Sequence, residues 1–194
     1  MYSTLDAIIL SLQPHSDKAH ILHAYTRTGG RVHYNVYGLG RKNAAGTYAP
    51  LSIVQLTTDE RSVRTAQLAY IPRTLNTDPY KRTIVIFISE VLYHVLRHPM
   101  TDEPMYDFIA QSIQELDRTD TPQNFHLAFL AGFAEKLGFA IPEDSSLPYS
   151  SISHQPTTRT QRQIALRALC EYFAEHVETW QKPKSLDILM EVFD

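Results

Sequence analysis

The chain has 194 residues, of which 43% are hydrophobic, so it is long enough for one large domain or two small domains with packed cores. Its formal net charge is −3, and no apolar run reaches the ~18 residues that a membrane-spanning helix needs. The apolar start lacks a basic leader, so we expect neither a membrane span nor a signal peptide. The single cysteine, Cys170, excludes an internal disulfide and a multi-cysteine zinc site, which suits the cytoplasm.

Alternating apolar and polar residues predict β-structure over the first eighty residues. An apolar run at 8–12 ends at Pro14, and segments 20–25 and 31–37 follow with a period of two. A short link through Gly29 and Gly30 joins these two segments and is typical of a hairpin turn. Two more strand-like runs occupy 51–56 and 67–71. Five short strands in about seventy residues predict a small closed or nearly closed barrel.

The apolar spacing becomes helical after Pro79. A helix is predicted over 83–98, with a broad apolar face that indicates a central position, and Pro99 ends it. Further helices are predicted at 105–116, from Pro122 to Leu137, at 161–180 and at 185–193, with a Ser-, Thr- and Pro-rich loop at 142–158. The sequence therefore predicts an α+β fold with an N-terminal barrel and a C-terminal all-helical part.

The charge is distributed unevenly between these two parts. From Met1 to Arg82 there are ten Lys and Arg against five Asp and Glu, a net charge of +5, and the remainder carries −8. This asymmetry predicts two domains with different partners, in which the basic half binds anions. The alternative is that two small domains differ in charge by chance.

The sharpest local motif is the run Gly38-Leu39-Gly40-Arg41-Lys42. Two glycines allow a phosphate to approach the backbone closely, and two basic side chains supply charge. The dinucleotide fingerprint needs a third glycine and a following helix, which are missing here, so no nucleotide cofactor is expected. The motif favours contact with a phosphate backbone, and its alternative is an ordinary solvated turn.

Other basic and aromatic residues can extend the same surface. Arg27, Arg31, Arg61 and Arg64 are basic, and Tyr37 and His33 share the side of Arg31 in the third strand. Charge for phosphates together with rings for bases is what a single strand of nucleic acid requires. The alternative for Tyr37 is cross-strand packing. Tyr34 alternates with Val32 and Val36 and is predicted to lie in the core.

No set of residues predicts catalysis or metal binding. His94 and His98 have a permitted ligand spacing on one predicted helix, but the sequence places no third ligand. There is no Gly-x-Ser-x-Gly motif, and Cys170 is predicted to be a structural residue on a helix. The carboxylates of the helical half are predicted to be solvated or to cap helices: Asp102, Glu103, Asp107, Glu115, Asp117 and Asp120. We therefore expect no enzyme, no metal and no cofactor.

The order of several segments resembles the RecO family of recombination mediators. These segments are AIIL, HSDKAHILHAYTRTGGRV, YGLGRK and APLSIVQL in the first half, then SEVLYHVLRH, NFHLAFLAGFAEKLGF and SLDILMEVF. The likeness covers nearly the whole chain in order. No single motif is diagnostic, and the strength of the resemblance lies in the succession.

The resemblance implies an OB-fold DNA-binding domain over 1–80 and a helical domain over 81–194. Family members bind single- and double-stranded DNA without strong sequence preference, promote annealing, and help RecR and single-strand-binding protein to load the recombinase during DNA repair. This implies a non-enzymatic protein in the cytoplasm, associated with the nucleoid, with no small-molecule substrate. By position, the family's basic turn corresponds to Arg41 and Lys42, and its Gly-Arg pair to Gly30 and Arg31. The DNA-binding residues predicted in all are Arg27, Arg31, Tyr37, Arg41, Lys42 and Arg64.

One departure from the family concerns zinc. Many relatives carry a four-cysteine module after the LGF segment, where this chain has residues 143–158 without a cysteine, so zinc is not expected. The acidic helical half is a better candidate for protein contacts than for DNA. Two alternatives remain: a generic OB-fold module that binds RNA or protein without a repair role, and a scaffold whose basic barrel docks an acidic partner.

Overall fold

The computed structural model describes residues 2–39, 44–142 and 158–192. Within these ranges an antiparallel sheet is built from β1 (Ser3–Ser16), β2 (Ala19–Thr26), β3 (Gly30–Tyr37), β4 (Ile53–Thr58) and β5 (Val63–Leu68), in the order β3-β2-β1-β4-β5. A short helix, α1 (Ala44–Thr47), separates β3 from β4 along the chain. The second half contains α2 (Pro79–Val95), α3 (Glu103–Arg118), a 3-10 turn (Pro122–Asn124), α4 (Phe125–Lys136), α5 (Arg159–His176) and α6 (Leu186–Val192).

The two outer strands, β3 and β5, approach each other and nearly close the sheet. Asn35 forms a parallel bridge with Ser62, and the Asn35 N–H donates to the carbonyl oxygen of Arg61 at 2.8 Å. We call this contact line the β3–β5 seam. A five-stranded sheet closed in this way is an OB-fold-like barrel, which confirms the predicted fold class.

The fifth strand lies earlier than predicted. It spans Val63–Leu68, whereas the sequence pattern placed it at 67–71. The outer face of β5 is polar, so the strand-like apolar pattern in the sequence was stronger in the residues that follow it. Those residues have already left the strand, because the N–H groups of Ala69 and Tyr70 both donate to the carbonyl of Ile53.

The barrel interior and the space under the helices are separate hydrophobic clusters. Along β1 the side chains alternate, so Ala7 and Ile9 lie inside the barrel while Ile8 and Leu10 pack against the helices. All four residues are buried. Full burial of an aliphatic side chain stabilises the fold by about 1.5–3 kcal/mol, so β1 contributes to both cores at once.

Helix α2 is central, as predicted, and packs against β1, α4 and α6. Its buried face belongs to the same cluster as the outer face of the barrel, so a continuous core crosses the predicted boundary at residue 80. That boundary stays a prediction. None of the helices that the structure describes is long and apolar enough to span a membrane.

Asp117 is a correction to the sequence prediction, because it is buried rather than solvated. It lies near the end of α3, and its carboxylate accepts the backbone N–H groups of Arg73, Thr74 and Leu75. These groups belong to the segment between β5 and α2, which has no ladder of its own to satisfy them. The Asp117 carboxylate therefore fixes the connection between the barrel and the helices.

Candidate nucleic-acid interface

The turn between β2 and β3 docks onto the helical half. Gly30 has a φ of +61°, and a side chain there would place its Cβ 2.2 Å from the carbonyl oxygen of Met100. The N–H of Arg31 donates to the carbonyl of His98, and the Thr101 hydroxyl donates to the carbonyl of Thr28 at 2.5 Å. The turn therefore contacts the segment between α2 and α3 through backbone groups that leave no room for a side chain at Gly30.

Arg31, a predicted DNA-binding residue, reaches the end of α2. Its Nη1 donates to the carbonyls of Tyr93 at 2.9 Å and Leu96 at 3.1 Å, and its guanidinium carbon lies 4.3 Å from the centre of the Tyr93 ring. Carbonyls at a helix C-terminus lack partners and carry partial negative charge, so a cation is stabilising there. Burial lowers the pKa of Arg31, and Tyr93 opposes this effect. Arg31 thus holds the barrel against the helices.

Arg27 also contacts the helical half. Its Nη2 lies 2.7 Å from Oδ1 of Asp107, and its guanidinium carbon lies 4.5 Å from the Tyr106 ring centre. The hydrogen bond to Asp107 raises the pKa of Arg27 above its usual value. Both side chains of the pair are partly exposed, and exposed ion pairs contribute only about 0–1 kcal/mol. The pair therefore adds little to stability, and the Arg27 side chain stays partly accessible to solvent.

Tyr37 and Arg64 lie on the strands that form the β3–β5 seam. Tyr37 ends β3 with 60% of its surface exposed, and Gly38 follows it with a φ of +69°. Arg64 is on β5 with 55% of its side chain exposed, and its Nη2 lies 2.6 Å from Oδ2 of Asp59. The Arg64 guanidinium is also 6.0 Å from the ring centre of the exposed Tyr2. The Arg64 Nε also donates to Oδ2 of Asp59 at 2.8 Å, so these strands offer exposed rings and a partly exposed cation that is paired with Asp59.

Arg41 and Lys42 lie outside the described residues. Leu39, the last described residue before them, packs against the interior cluster of the barrel. The predicted phosphate-binding motif therefore follows directly on a strand end whose Tyr37 is open to solvent.

The predicted site residues fall into two groups. Arg27 and Arg31 lie at the junction with the helices, while Tyr37 and Arg64 are on the seam strands. Tyr34 packs with the barrel interior, as predicted. The role of each predicted DNA-binding residue stays a prediction.

Comparison with known proteins shows a family match and several full-length relatives. Residues 76–147 match the family described as "Recombination protein O C terminal". The DNA repair protein RecO of Flavobacterium johnsoniae is 28% identical over 231 residues, covering 96% of this chain and 97% of the relative. RecO of Phocaeicola vulgatus is 29% identical with the same coverage, and RecO of Porphyromonas gingivalis is 32% identical over 71% of this chain and 60% of the relative. The chain belongs to the RecO family.

The alignment with the Flavobacterium RecO runs over 231 positions, which exceeds the 194 residues of this chain. This relative therefore contains residues that the chain lacks. The matched family region, 76–147, includes α2, α3 and α4, and the helical partners of Arg27 and Arg31 lie on α3 and at the end of α2.

No group of three or more His, Cys, Asp or Glu residues that could hold a metal ion occurs in the described part of the chain. Helix α2 ends at Val95, so His94 and His98 do not share a helix face, contrary to the prediction. Cys170 is buried in α5, and burial raises the pKa of its thiol to about 12, which makes it unreactive.

Sequence reasoning missed a cleft between the barrel and the end of α2. Its residues come from β2, β3, the region 93–97 and Gln181, so no local motif reveals it. Only the predicted hairpin between β2 and β3 could have indicated the cleft, because its register pairs His23 with His33 on neighbouring strands.

Proposed function

We propose that this chain is a non-enzymatic, DNA-binding recombination mediator. It binds single- and double-stranded DNA, promotes annealing, and helps to load the recombinase in recombinational DNA repair. The observation that supports this function is the likeness to DNA repair proteins named RecO over 96% of the chain. The OB-fold-like barrel supports it further, since such barrels offer a face and loops to oligonucleotides.

In this proposal the DNA backbone lies along the β3–β5 seam. Arg64 contacts phosphates, and so do Arg41 and Lys42 in the adjoining segment. Tyr37 provides a ring on which a base stacks, a contact worth about 1–3 kcal/mol. The exposure of Tyr37 and Arg64 supports these roles. Arg27 is a weaker candidate because it lies at the junction with the helices, where it contacts Asp107 and the Tyr106 ring. Arg31 would act by holding the hairpin in place.

Annealing follows if one cationic surface screens the charges of two strands. The helical half carries the excess of acidic residues, so we propose that it provides contacts for RecR and single-strand-binding protein rather than for DNA. The proposed location is the cytoplasm, near the nucleoid.

The test is fluorescence anisotropy with a labelled single strand over a range of salt concentrations. Replacing Arg41→Ala together with Lys42→Ala should weaken binding and reduce the log–log salt slope by about 1.4, at roughly 0.7 per lost phosphate contact. The control is Arg118→Ala with Lys136→Ala, which removes two exposed cations from the helical half. If the barrel variant binds as tightly as wild type, the site is wrong. If wild type binds no DNA at low salt, the function is wrong.

A competition experiment separates the RNA-binding alternative. Unlabelled single-stranded DNA and RNA of equal length and sequence compete for the labelled strand. Stronger competition by DNA, together with faster annealing of complementary strands, is expected for a mediator. Equal competition with no annealing would support the generic OB-fold module instead.

A further inference from the structure

A cleft of about 460 Å³ lies where the barrel meets the C-terminal end of α2. We call it the junction cleft. The residues that line it and matter here are His23, Arg31, His33, Tyr93, His94 and Arg97. None of the described residues lining it is a carboxylate, although the helical half as a whole is acidic.

One wall of the junction cleft is a row of rings. His23 and His33 are paired across β2 and β3, with ring centroids 6.3 Å apart. Tyr93 meets His23 edge-on at 5.2 Å and His94 edge-on at 5.4 Å. Four rings from the barrel and α2 therefore contact each other in sequence along the cleft.

Both arginines of the cleft are held by backbone carbonyls rather than by acids. Arg31 donates to Tyr93 and Leu96 as described, and Nε of Arg97 donates to the carbonyl of His94 at 3.0 Å. These hydrogen bonds use Nη1 of Arg31 and Nε of Arg97, and a guanidinium group carries further N–H donors that can face a ligand. Their charge is thus positioned without being neutralised by a carboxylate.

The acid closest in sequence to His94 on α2 is Glu90, and its oxygens are already in use. Oε1 accepts the N–H of Lys184 at 2.8 Å, while Oε2 accepts the N–H of Ser185 at 3.0 Å and its hydroxyl at 2.7 Å. Glu90 therefore fixes the segment before α6, and its charge acts on His94 without lining the junction cleft.

The lowered pKa values of two histidines reflect this excess of positive charge. Burial, Arg31 and His33 lower the pKa of His23 to about 4. Burial also lowers the pKa of His94, with Glu90 opposing and Arg97, Arg31 and Lys184 adding to the effect. Within the described residues, Nδ1 of His94 is buried without a hydrogen-bond partner. An anion in the cleft would favour the protonated rings and offset the repulsion among these cations.

We propose that the junction cleft is a second anion site, separate from the β3–β5 seam, and that it takes a phosphate group. Arg31 and Arg97 donate to the phosphate oxygens, and the ring N–H groups of the histidines add further donors. The phosphate can belong to a nucleic-acid strand or to a free phosphate compound. The strand as source rests on the proposed function, whereas the site itself does not.

The surroundings favour a strand. A groove of about 610 Å³ continues from the junction cleft and shares Tyr93 and His94 with it. It carries Lys184, the Asp187-paired Lys182 and the acid Glu90. An extended polyanion could pass from the histidine wall along this groove, with rings and cations on its path.

Histidine NMR titrations in the absence and presence of millimolar pyrophosphate test the site directly. The pKa values of His23 and His94 should each rise by about 1 when pyrophosphate binds, because an opposite charge at 4–6 Å favours the charged form. His15 on the exposed hairpin and His176 on α5 are controls that should not move. Unchanged titrations of His23 and His94 would overturn the site.

The variant Arg97→Ala tests the ligand, with Arg82→Ala at the opposite end of α2 as an equally exposed control. Arg97→Ala should lower pyrophosphate affinity about tenfold, the loss of one charge-assisted hydrogen bond, while Arg82→Ala leaves it unchanged. Weaker binding of a labelled single strand by Arg97→Ala identifies a strand as the source, and unchanged strand binding identifies a free phosphate compound. Equal pyrophosphate affinity in both variants would contradict the site.

These measurements also separate the site from the proposed function. Wild type that fails to bind any strand but still shows the pyrophosphate response would contradict the function and keep the site. Arg41→Ala with Lys42→Ala should leave the histidine response to pyrophosphate unchanged.

Discussion

The carboxylate of Asp117 accepts the backbone N–H of Thr74 at 2.8 Å, across 43 residues of chain. The Tyr70 hydroxyl donates to the same carboxylate at 2.7 Å, and the buried Lys81 donates to the Asp117 carbonyl at 2.9 Å. One buried acid thus satisfies a segment that would otherwise leave its N–H groups without partners.

Replacing Asp117→Asn should destabilise the protein by about 3 kcal/mol. The amide keeps one acceptor oxygen but turns its NH₂ group toward backbone donors, and each unsatisfied buried donor costs about 1–3 kcal/mol. Urea unfolding followed by circular dichroism measures the loss. Asp120→Asn, an exposed change just beyond α3, is the control and should be nearly neutral.

The same carboxylate gives a pH dependence at the acid end. Burial alone would raise the pKa of Asp117, but the N–H groups of Arg73 and Thr74 and the Tyr70 hydroxyl outweigh it and hold the pKa well below the usual range. Because the folded pKa is depressed, this stabilisation is complete above about pH 4 and decreases as the pH falls further. The Asp117→Asn variant should lose less stability than wild type below pH 4.

Gly30→Ala should be much more damaging than Gly38→Ala. Both glycines have positive φ, at +61° and +69°, so both substitutions carry a left-handed strain of about 1–2 kcal/mol. Only at Gly30 does the new Cβ collide with backbone, since nothing lies within 4 Å of a Cβ at Gly38. Thermal unfolding of the two variants compares them, and equal destabilisation would contradict the close contact between Gly30 and Met100.

Stability should fall between pH 6.5 and pH 5 because of His126. This histidine is 2% exposed, and burial together with Arg162 lowers its pKa to about 3. The unfolded chain takes up a proton near pH 6.5 while the folded chain does not, so stability decreases as the pH falls through this range, by about 2 kcal/mol at pH 5. Urea midpoints at several pH values measure the slope. His126→Gln should flatten it, whereas His15→Gln should not.

Asp107→Asn should strengthen binding of a single DNA strand about threefold if Arg27 contacts phosphates. The change removes the acid that pairs with Arg27, and an exposed pair of this kind is worth less than about 1 kcal/mol. Glu115→Gln on the same helix removes one negative charge from an exposed position and serves as the control. Identical affinities for the two variants would remove Arg27 from the interface.

The strands of the barrel could be predicted because Val32, Tyr34 and Val36 alternate with polar residues, and α2 because its apolar face recurs with helical spacing. The contacts of Arg27 and Arg31 could not be predicted in this way. Asp107 lies 80 residues after Arg27, and Tyr93 lies 62 residues after Arg31. No local sequence pattern connects residues so far apart. The burial of Asp117 escaped prediction for the same reason, since its partners lie more than 40 residues earlier.

The shared role of β1 has a consequence for truncation. Ile8, Leu10 and Tyr25 are buried on the outer face of the barrel because the helices cover them. A fragment ending at residue 80 would expose these side chains to solvent as an apolar strip, and we expect such a fragment to self-associate. DNA affinities of the barrel are therefore better obtained from point variants of the whole chain than from an excised fragment.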